Sequence, residues 1–262
     1  MAKVFHLLSK YELLYFLKNP WHHFARLNSQ HSLKGASVKM LQNKVTVNSK
    51  GYASAMFTYS EKRKTVWGEI CNYLNRHYIP KDSAVLELGS GYGDFIGQIK
   101  TREKVAIEVE DIHGERMQSY PDVKMLFGST MDLLPTLGRS QFDVVFASNY
   151  FEHFAIEDIQ AQLREVTDVL KSGGKLVIIQ PNFQLCPEKY FDDWTHKTVF
   201  SHETMLGFLE MNGFHVQHCR KRFLPFSMKS RLPVSKLLVR LYLNSPIKPL
   251  AGQFLIVAEK II

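Results

Sequence analysis

The chain has 262 residues, of which 45% are hydrophobic and 22% are charged, and its formal net charge is +8. This length accommodates one globular domain with an appended segment, and the hydrophobic fraction is sufficient for a buried core. The cysteines, Cys71, Cys186 and Cys219, are too widely spaced to suggest a disulfide framework or a thiolate metal site, which favours a reducing, cytoplasmic location. No stretch approaches the roughly 20 apolar residues of a membrane span, and the short apolar patch at the N-terminus lacks the features of a signal peptide.

The positive charge is concentrated at the two ends of the sequence. Residues 1–65 hold 11 lysines and arginines against two acids, and residues 220–248 hold eight against none. Residues 66–219 are acidic, with 13 basic residues against 22 acids. Basic flanks of this kind either meet an anionic partner, such as a phosphate-bearing substrate, an anionic lipid or nucleic acid, or only keep the protein soluble.

The first elements in the chain are predicted to be helices. Apolar spacing over residues 4–18 predicts an amphipathic helix that Pro20 ends. Such a helix either packs on its own domain or lies on a membrane surface. A further helix is predicted at 65–77. We therefore divide the chain into a basic helical extension or lid, residues 1–65, and a main domain, residues 66–262.

From residue 84 onward, short apolar runs alternate with helical patterns, which predicts βαβ units around a parallel sheet. The predicted strands are 84–88, 104–108, 123–127, 142–147, 174–180, 213–220 and 252–259. The predicted helices are 94–100, 156–170, ended by Gly173 and Gly174, and 201–211, with Ser201 as its N-cap and Gly213 as its stop signal. The expected fold is α/β, a seven-stranded, mostly parallel sheet with helices on both faces and a basic insertion, residues 221–252, before the last strand.

A glycine-rich turn, Glu87-Leu-Gly-Ser-Gly-Tyr-Gly93, follows the first predicted strand, which is the setting in which such a turn binds a cofactor. Gly89, Gly91 and Gly93 allow a sharp turn and a close approach of the backbone to a ligand. A dinucleotide site requires glycine or alanine where this chain has Asp94, which argues against NAD. A carboxylate at Glu87 suits the cation S-adenosylmethionine (SAM), which carries an ammonium and a sulfonium group.

A second carboxylate supports this interpretation. Glu108 lies 21 residues after Glu87, at the end of the second predicted strand, where an acid can accept hydrogen bonds from both ribose hydroxyls. Glu110 is a competing candidate, because strand alternation places residues 108 and 110 on one face. Glu108 is preferred because the apolar strand ends on it.

These motifs resemble the class I SAM-dependent methyltransferases, which have a Rossmann-like fold, and the likeness extends from about Val66 to the C-terminus. It includes Phe142–Asn149 and Leu170–Ile179 at the family's spacing. The resemblance implies SAM contacts from Glu87, Gly89, Ser90, Gly91 and Gly93 at the methionine end, Glu108 at the ribose, Ser129, Thr130 and Met131 at the adenine, and Asn149 after the fourth strand. Many members have aspartate in place of Ser129, so this chain keeps only backbone contacts and a hydroxyl there.

The candidate acceptor site is the loop Tyr190-Phe-Asp-Asp-Trp-Thr-His196, which follows the fifth predicted strand. Ligands of open α/β sheets bind beyond the carboxyl ends of the strands. His196 is the first candidate for a general base, with Asp193 beside it, and His153 after the fourth strand is its rival. In the structural alternative, the aspartates cap a turn and either histidine only packs.

No metal is expected. Metal-dependent O-methyltransferases generally place an acid at the end of the fourth strand, where this chain has Ser148 and Asn149. Asp192 and Asp193 alone do not make a convincing site for a hard cation.

The segment 222–253 is similar to bacterial methyltransferases from polysaccharide and other surface-glycan pathways. Together with the chemistry of the loop 190–196, this resemblance predicts O-methylation of a sugar or other small hydroxylated metabolite by in-line SN2 transfer. The basic and apolar residues of the insertion suit an anionic nucleotide-linked or lipid-linked sugar, or the insertion only covers the sheet edge. Two alternatives stay open: an RNA or protein methyltransferase that uses the basic flanks, and a SAM-binding subunit without activity. The flanks also suggest peripheral contact with the inner face of the membrane.

Overall fold

A computed structural model describes residues 60–109, 119–226 and 234–261. The strands are β1 (Ala84–Leu88), β2 (Glu103–Glu108), β3 (Val123–Phe127), β4 (Phe142–Ser148), β5 (Leu170–Pro181), β6 (Phe214–Pro225) and β7 (Ala251–Lys260). The α-helices are α1 (Glu61–His77), α2 (Thr130–Leu133), α3 (Ile156–Val169), α4 (Pro187–Tyr190), α5 (His202–Met211) and α6 (Lys236–Asn244). Two short 3₁₀ helices span Leu134–Thr136 and Phe151–His153.

The described strands form one seven-stranded sheet with the order β3-β2-β1-β4-β5-β7-β6. The first five strands pair in parallel, and β7 lies antiparallel between β5 and β6. The prediction of a seven-stranded, mostly parallel sheet is therefore confirmed. From β1 the chain continues to β2 and β3 on one side. It then crosses to β4 and β5 on the other side of β1. A crevice for a ligand forms where the order reverses, beyond the carboxyl ends of β1 and β4.

The sheet is covered on both faces, as predicted. Every residue of β1 is buried, which explains its nearly continuous apolar sequence. Leu86 and Leu88 pack into the cluster that includes residues of α3 and α5, whereas Val85 packs on the opposite face with residues of α1 and α6. Because side chains alternate along a strand, Glu87 points to the same face as Val85, beneath α1.

Helix α1 begins earlier than predicted, at Glu61 rather than 65, because the Ser60 hydroxyl accepts a hydrogen bond from the Arg63 N–H at 3.3 Å and so caps the first turn. Helix α6 lies in the predicted insertion and packs beside α1. Its Arg240 donates from Nε and Nη2 to the carboxylate of Glu69, at 3.0 and 3.2 Å. This fork-shaped pair fixes α6 on the sheet face that α1 covers.

Two predictions about local structure are wrong. Residues 94–98 form successive turns rather than a helix. The Ile96 N–H donates to Glu87 instead of to a backbone carbonyl, and the Gln98 N–H bonds only three residues back, to Phe95. Gly173 and Gly174 do not end α3, which stops at Val169; Gly173 has a φ of +70° and bends the backbone inside β5. The N-cap predicted at Ser201 is confirmed, with a reciprocal hydrogen bond to Thr204.

In the part of the chain that the structure describes, no helix has the length and apolarity needed to cross a bilayer. The helix predicted at 4–18 and its end at Pro20 lie outside the described residues, as does Glu110. The division at residue 65 stays a prediction.

Candidate active site

The glycine-rich turn leaves β1 at Leu88 with three left-handed residues, Gly89, Gly91 and Gly93, whose φ values are +66°, +51° and +70°. A Cβ atom at Gly89 would lie 2.6 Å from the ring of Tyr150, so this position also requires glycine for space. A Cβ at Gly91 would meet nothing within 4 Å. The backbone at Gly91 therefore faces open space in the crevice and can approach a ligand closely.

Glu87 is a buried carboxyl group below this turn, and only 4% of the residue is exposed. It accepts a hydrogen bond from the Ile96 N–H at 3.1 Å. Burial raises the pKa of Glu87 well above its ordinary value, and the negative charges of Asp94 and Glu108 add to the shift. A cation beside Glu87 would restore the charged form of this carboxyl.

Glu108 ends β2 on the opposite side of the turn. Its carboxylate accepts hydrogen bonds from the N–H groups of Gly91, at 2.6 Å, and Val109, at 2.9 Å. The glycine turn and the end of β2 are thus tied together at one carboxylate. The competing candidate, Glu110, lies outside the described residues, so the choice between the two stays a prediction.

The third side of the crevice follows β3. The Ser129 hydroxyl caps α2 by accepting from the Met131 N–H at 3.2 Å. The Thr130 hydroxyl lies within hydrogen-bonding distance of the Tyr150 hydroxyl and of Gln162, so it is part of a buried polar network. Ser129 and Thr130 line the crevice, whereas Met131 does not.

Asn149 follows β4 with a φ of +47°, a left-handed conformation in which asparagine is enriched. Its Oδ1 accepts a hydrogen bond from Nε2 of Gln253, on β7, at 3.2 Å. The position of Asn149 in the pocket lining is therefore fixed by β7 as well as by β4.

These elements enclose a pocket of about 310 Å³, a size in the range of small-molecule sites. The predicted cofactor residues in its lining are Glu87, Gly89, Ser90, Gly91, Glu108, Ser129, Thr130 and Asn149. Among the candidate bases, His153 is in the lining and His196 is not.

The acceptor loop after α4 is anchored by backbone hydrogen bonds. The N–H groups of Lys197 and Thr198 both donate to the carbonyl oxygen of Glu152, at 2.7 and 3.2 Å. The Thr198 hydroxyl donates to the carbonyl oxygen of Phe154 at 2.6 Å. These bonds bring the loop against the 3₁₀ helix that follows β4.

A chain of three side chains orients His153. The Thr195 hydroxyl donates to Oδ1 of Asp193 at 2.6 Å, and the same Oγ1 lies 2.8 Å from Nδ1 of His153. A hydroxyl has one hydrogen to donate, so Thr195 must accept from His153. Nδ1 therefore carries the hydrogen of the neutral ring, and the lone pair lies on Nε2.

His196 and Glu152 lie behind His153. The two imidazole rings meet edge to face with centroids 5.0 Å apart. His196 Nε2 is 3.9 Å from Oε1 of Glu152 and 3.9 Å from Oδ2 of Asp193. Glu152 is fully buried, and neither of its carboxyl oxygens has a hydrogen-bond partner in normal geometry.

Burial dominates the ionisation of this cluster. It raises the pKa of Glu152 to about 8, with a further contribution from Asp193. It lowers the pKa of His153 to about 4, and the neighbouring His196 adds to that shift. Burial also lowers the pKa of His196, although the charge of Asp193 opposes the change. Both imidazoles are therefore neutral near pH 7.

Residues 86–178 match the model of a methyltransferase domain. The matched residues run from β1 to β5 and include the glycine-rich turn and Glu108. The predicted cofactor, S-adenosylmethionine, agrees with this match. The chain is 26% identical over 206 residues to an uncharacterized protein of Methanocaldococcus jannaschii, a match that covers 73% of this chain and 84% of that protein.

Solved structures of SAM-dependent methyltransferases share this fold. A SAM-dependent methyltransferase from Archaeoglobus fulgidus superposes with a TM-score of 0.54 at 21% identity, covering 74% of this chain and 94% of that one. A possible histamine N-methyltransferase from Thermotoga maritima gives a TM-score of 0.57 at 17% identity, covering 80% and 97%. At these identities the likeness establishes the α/β fold.

The residues that line the pocket fit SAM. The hydroxyls of Ser90 and Ser148 are buried in its lining without hydrogen-bond partners, so they are available to a polar ligand. Glu87 supplies a carboxyl that a cation would ionise, and Gly91 leaves room for a close backbone approach. When bound, SAM supplies the transferable methyl group; the residues of the pocket orient it.

The sequence did not predict two residues of this site, Tyr150 and Glu152. Tyr150 packs against Gly89, and its hydroxyl hydrogen-bonds to Thr130 at the start of α2. No pattern in the neighbouring sequence predicts these contacts. Glu152 was not predicted, because only His153 of the Glu-His pair after β4 was considered as a candidate site residue. The signal available was an acid next to a histidine immediately after a buried strand.

Proposed function

We propose that the domain transfers the SAM methyl group to a hydroxyl of a sugar or other small hydroxylated metabolite, by in-line SN2 displacement. The observation that carries this proposal is the position of His153. It lines the cofactor pocket, and the Asp193–Thr195 chain leaves the lone pair of its ring on Nε2. A hydroxyl must lose its proton as the O–C bond forms, so a held lone pair beside the methyl group favours an oxygen acceptor.

The acceptor loop supports a polyhydroxylated ligand. Phe191 and Trp194 are exposed by 56% and 63%, which is unusual for large aromatic side chains. Asp192 lies between them in sequence and is also exposed. Aromatic faces that cover the apolar side of a sugar ring, with carboxylates that accept from its hydroxyls, are chemically suited to such an acceptor.

Orientation would supply most of the rate. Holding the acceptor oxygen in line with the S–C bond is worth roughly 7–11 kcal/mol in favourable cases. The loop is suited to that task because backbone hydrogen bonds fix it to the carbonyl of Glu152.

Formation of S-adenosylhomocysteine in the presence of nucleotide sugars and free glycans tests this function. We expect turnover with at least one of these acceptors, a methyl ether in the product by NMR, and loss of turnover in His153→Ala with SAM affinity retained. Turnover only with RNA, protein or an amine acceptor would contradict the proposal.

Peripheral membrane contact is a separate proposal, and helix α6 supports it. Leu237, Leu238 and Leu241 share one side of this helix and are each more than half exposed. Arg240 is held on Glu69, so the leucines are presented away from the α1 contact. An apolar face with Lys236 at its start suits the surface of an anionic bilayer.

A further inference from the structure

We infer that Glu152, His153 and His196 form a binding site for a divalent first-row transition-metal ion of the Zn²⁺ type, adjoining the SAM pocket. Each residue offers one ligand atom, and the three atoms lie within 4.8 Å of one another. This reverses the expectation of a metal-free protein, which considered only Ser148, Asn149 and the aspartates of the acceptor loop.

The carboxyl group of Glu152 is the strongest argument. It is fully buried, and the nearby N–H groups of Tyr150 and Glu152 do not reach its oxygens in normal hydrogen-bond geometry. In the described part of the chain it pairs with no lysine or arginine. Leaving such a group without a partner is costly, and buried carboxylates are normally paired or coordinated to metal. Nε2 of His196 is 3.9 Å from Oε1 of Glu152, too far for a hydrogen bond.

The donor set fits a transition metal. Two imidazoles and one carboxylate are the ligands of several zinc sites and of other divalent metal sites, and three protein ligands leave a position open for a further oxygen. Ligands around one such ion lie about 3–3.5 Å apart, given bonds of about 2.0–2.2 Å. A closing movement of about 1 Å would bring these three side chains to that spacing.

The surroundings of the cluster orient the ligands as metal sites require. The hydrogen bond between Thr195 and His153 places the lone pair of His153 on Nε2, and Asp193 holds Thr195 in turn. Ligating histidines almost always have their other ring nitrogen held in this way. The second oxygen of Asp193 adds negative charge 3.9 Å from His196.

A role in catalysis follows, and this step alone rests on the proposed function. His153 is both a ligand and part of the SAM pocket wall, so the ion would lie beside the acceptor oxygen. A metal-bound hydroxyl loses its proton to solvent far more readily than a free one. Its oxygen lone pair then forms the O–C bond as the S–C bond breaks, which gives a methyl ether and S-adenosylhomocysteine. Without the ion, Nε2 of His153 accepts the proton, as in the proposed function; with the ion bound, Nε2 is a ligand and solvent accepts the proton.

Metal binding is tested directly with Co²⁺, added to the chelator-treated full chain and followed by visible absorption. We expect one ion per chain, with affinity reduced by more than about 100-fold in Glu152→Gln and in His196→Asn. Glu188→Gln, an exposed glutamate on α4, is the matched control and should bind Co²⁺ normally. SAM affinity, measured by calorimetry, reports whether each variant is folded.

The outcomes separate the site from the proposed function. Equal Co²⁺ affinity in the wild type and a folded Glu152→Gln protein would overturn the site. Co²⁺ binding with no methyl transfer to any hydroxylated acceptor would overturn the proposed function and leave the site standing. Turnover that is unchanged by removal of the bound ion would overturn its catalytic role.

Discussion

The Oγ1 atom of Thr195 lies 2.8 Å from Nδ1 of His153, and this contact links a side chain of the acceptor loop to the histidine that follows β4. Because Thr195 also donates to Asp193, it accepts from Nδ1 of His153 and so fixes the tautomer of the ring.

Replacement of Thr195 by valine should therefore lower turnover by about 10- to 100-fold, the usual cost of losing a hydrogen bond that orients a site histidine. SAM affinity should be unchanged, since Thr195 does not line the pocket. Thr198→Val is the control, because it loses one hydrogen bond of the same loop without touching His153. Equal losses in the two variants would mean that Thr195 only holds the loop.

Glu108→Gln should weaken SAM binding by about 10- to 100-fold, because hydrogen bonds to a charged group contribute roughly 1.5–3 kcal/mol. The variant loses the negative charge of the carboxylate that accepts hydrogen bonds from the Gly91 and Val109 N–H groups. The ribose hydroxyls would donate to the same carboxylate. Isothermal titration calorimetry measures the effect. Glu103→Gln, at the exposed start of the same strand, should bind SAM as the wild type does.

Glu87→Gln should separate stability from cofactor binding. The pKa of Glu87 is raised in the folded protein, so the folded state retains a proton that the unfolded state releases. The stability contributed by this group is therefore lost progressively as the pH rises above its ordinary value, about 4.5.

Near pH 8, unfolding in urea should accordingly show Glu87→Gln to be at least as stable as the wild type without cofactor. The same variant should bind SAM more weakly, because the cation loses its carboxylate partner. A variant that is destabilised at pH 8 and binds SAM normally would contradict both expectations.

Gly89→Ala should mainly lower the stability of the fold, whereas Gly91→Ala should mainly lower SAM affinity. Both place a side chain in the left-handed region, at a cost of about 1–2 kcal/mol. Gly89→Ala additionally forces a Cβ to within 2.6 Å of Tyr150 and should lose more stability in urea unfolding. Gly91→Ala should stay folded and lose SAM affinity, because its methyl group enters the pocket.

Membrane contact by α6 predicts that Leu237→Lys combined with Leu241→Lys will reduce sedimentation with anionic vesicles. Each leucine buried in a bilayer contributes about 1.5–3 kcal/mol. Met211→Lys, on α5, is the matched control because Met211 is 84% exposed but lies on another helix. Absence of wild-type binding to the vesicles at low salt would end the proposal.

The sequence predicted the regular part of this fold well. The strand at Val123–Phe127 and the cap at Ser201 both depend on short-range patterns, and both are confirmed. The helix predicted at 94–100 failed because apolar spacing there reflects burial of irregular turns. The termination predicted at Gly173 failed because a glycine with positive φ can also bend a strand.

The site was predictable where it lies on one continuous segment. The glycine turn and Glu108 each follow a strand, so their neighbourhood can be read from local patterns. The contact of His153 and His196 joins residues 43 positions apart through a loop whose path the sequence does not specify. The burial of Glu152 could not be predicted either, because a glutamate is normally exposed and the loop that covers it is distant in sequence.

The attachment of the acceptor loop has a consequence for substrate range. Main-chain atoms supply two of the bonds that hold the loop, because Lys197 and Thr198 donate from their backbone N–H groups to the carbonyl of Glu152. Such bonds do not depend on which side chains the loop carries. The exposed residues Phe191 and Trp194 can therefore be exchanged while the loop keeps its place against the 3₁₀ helix that follows β4. Under the proposed function, acceptor preference can thus change without disturbing the glycine-rich turn and Glu108.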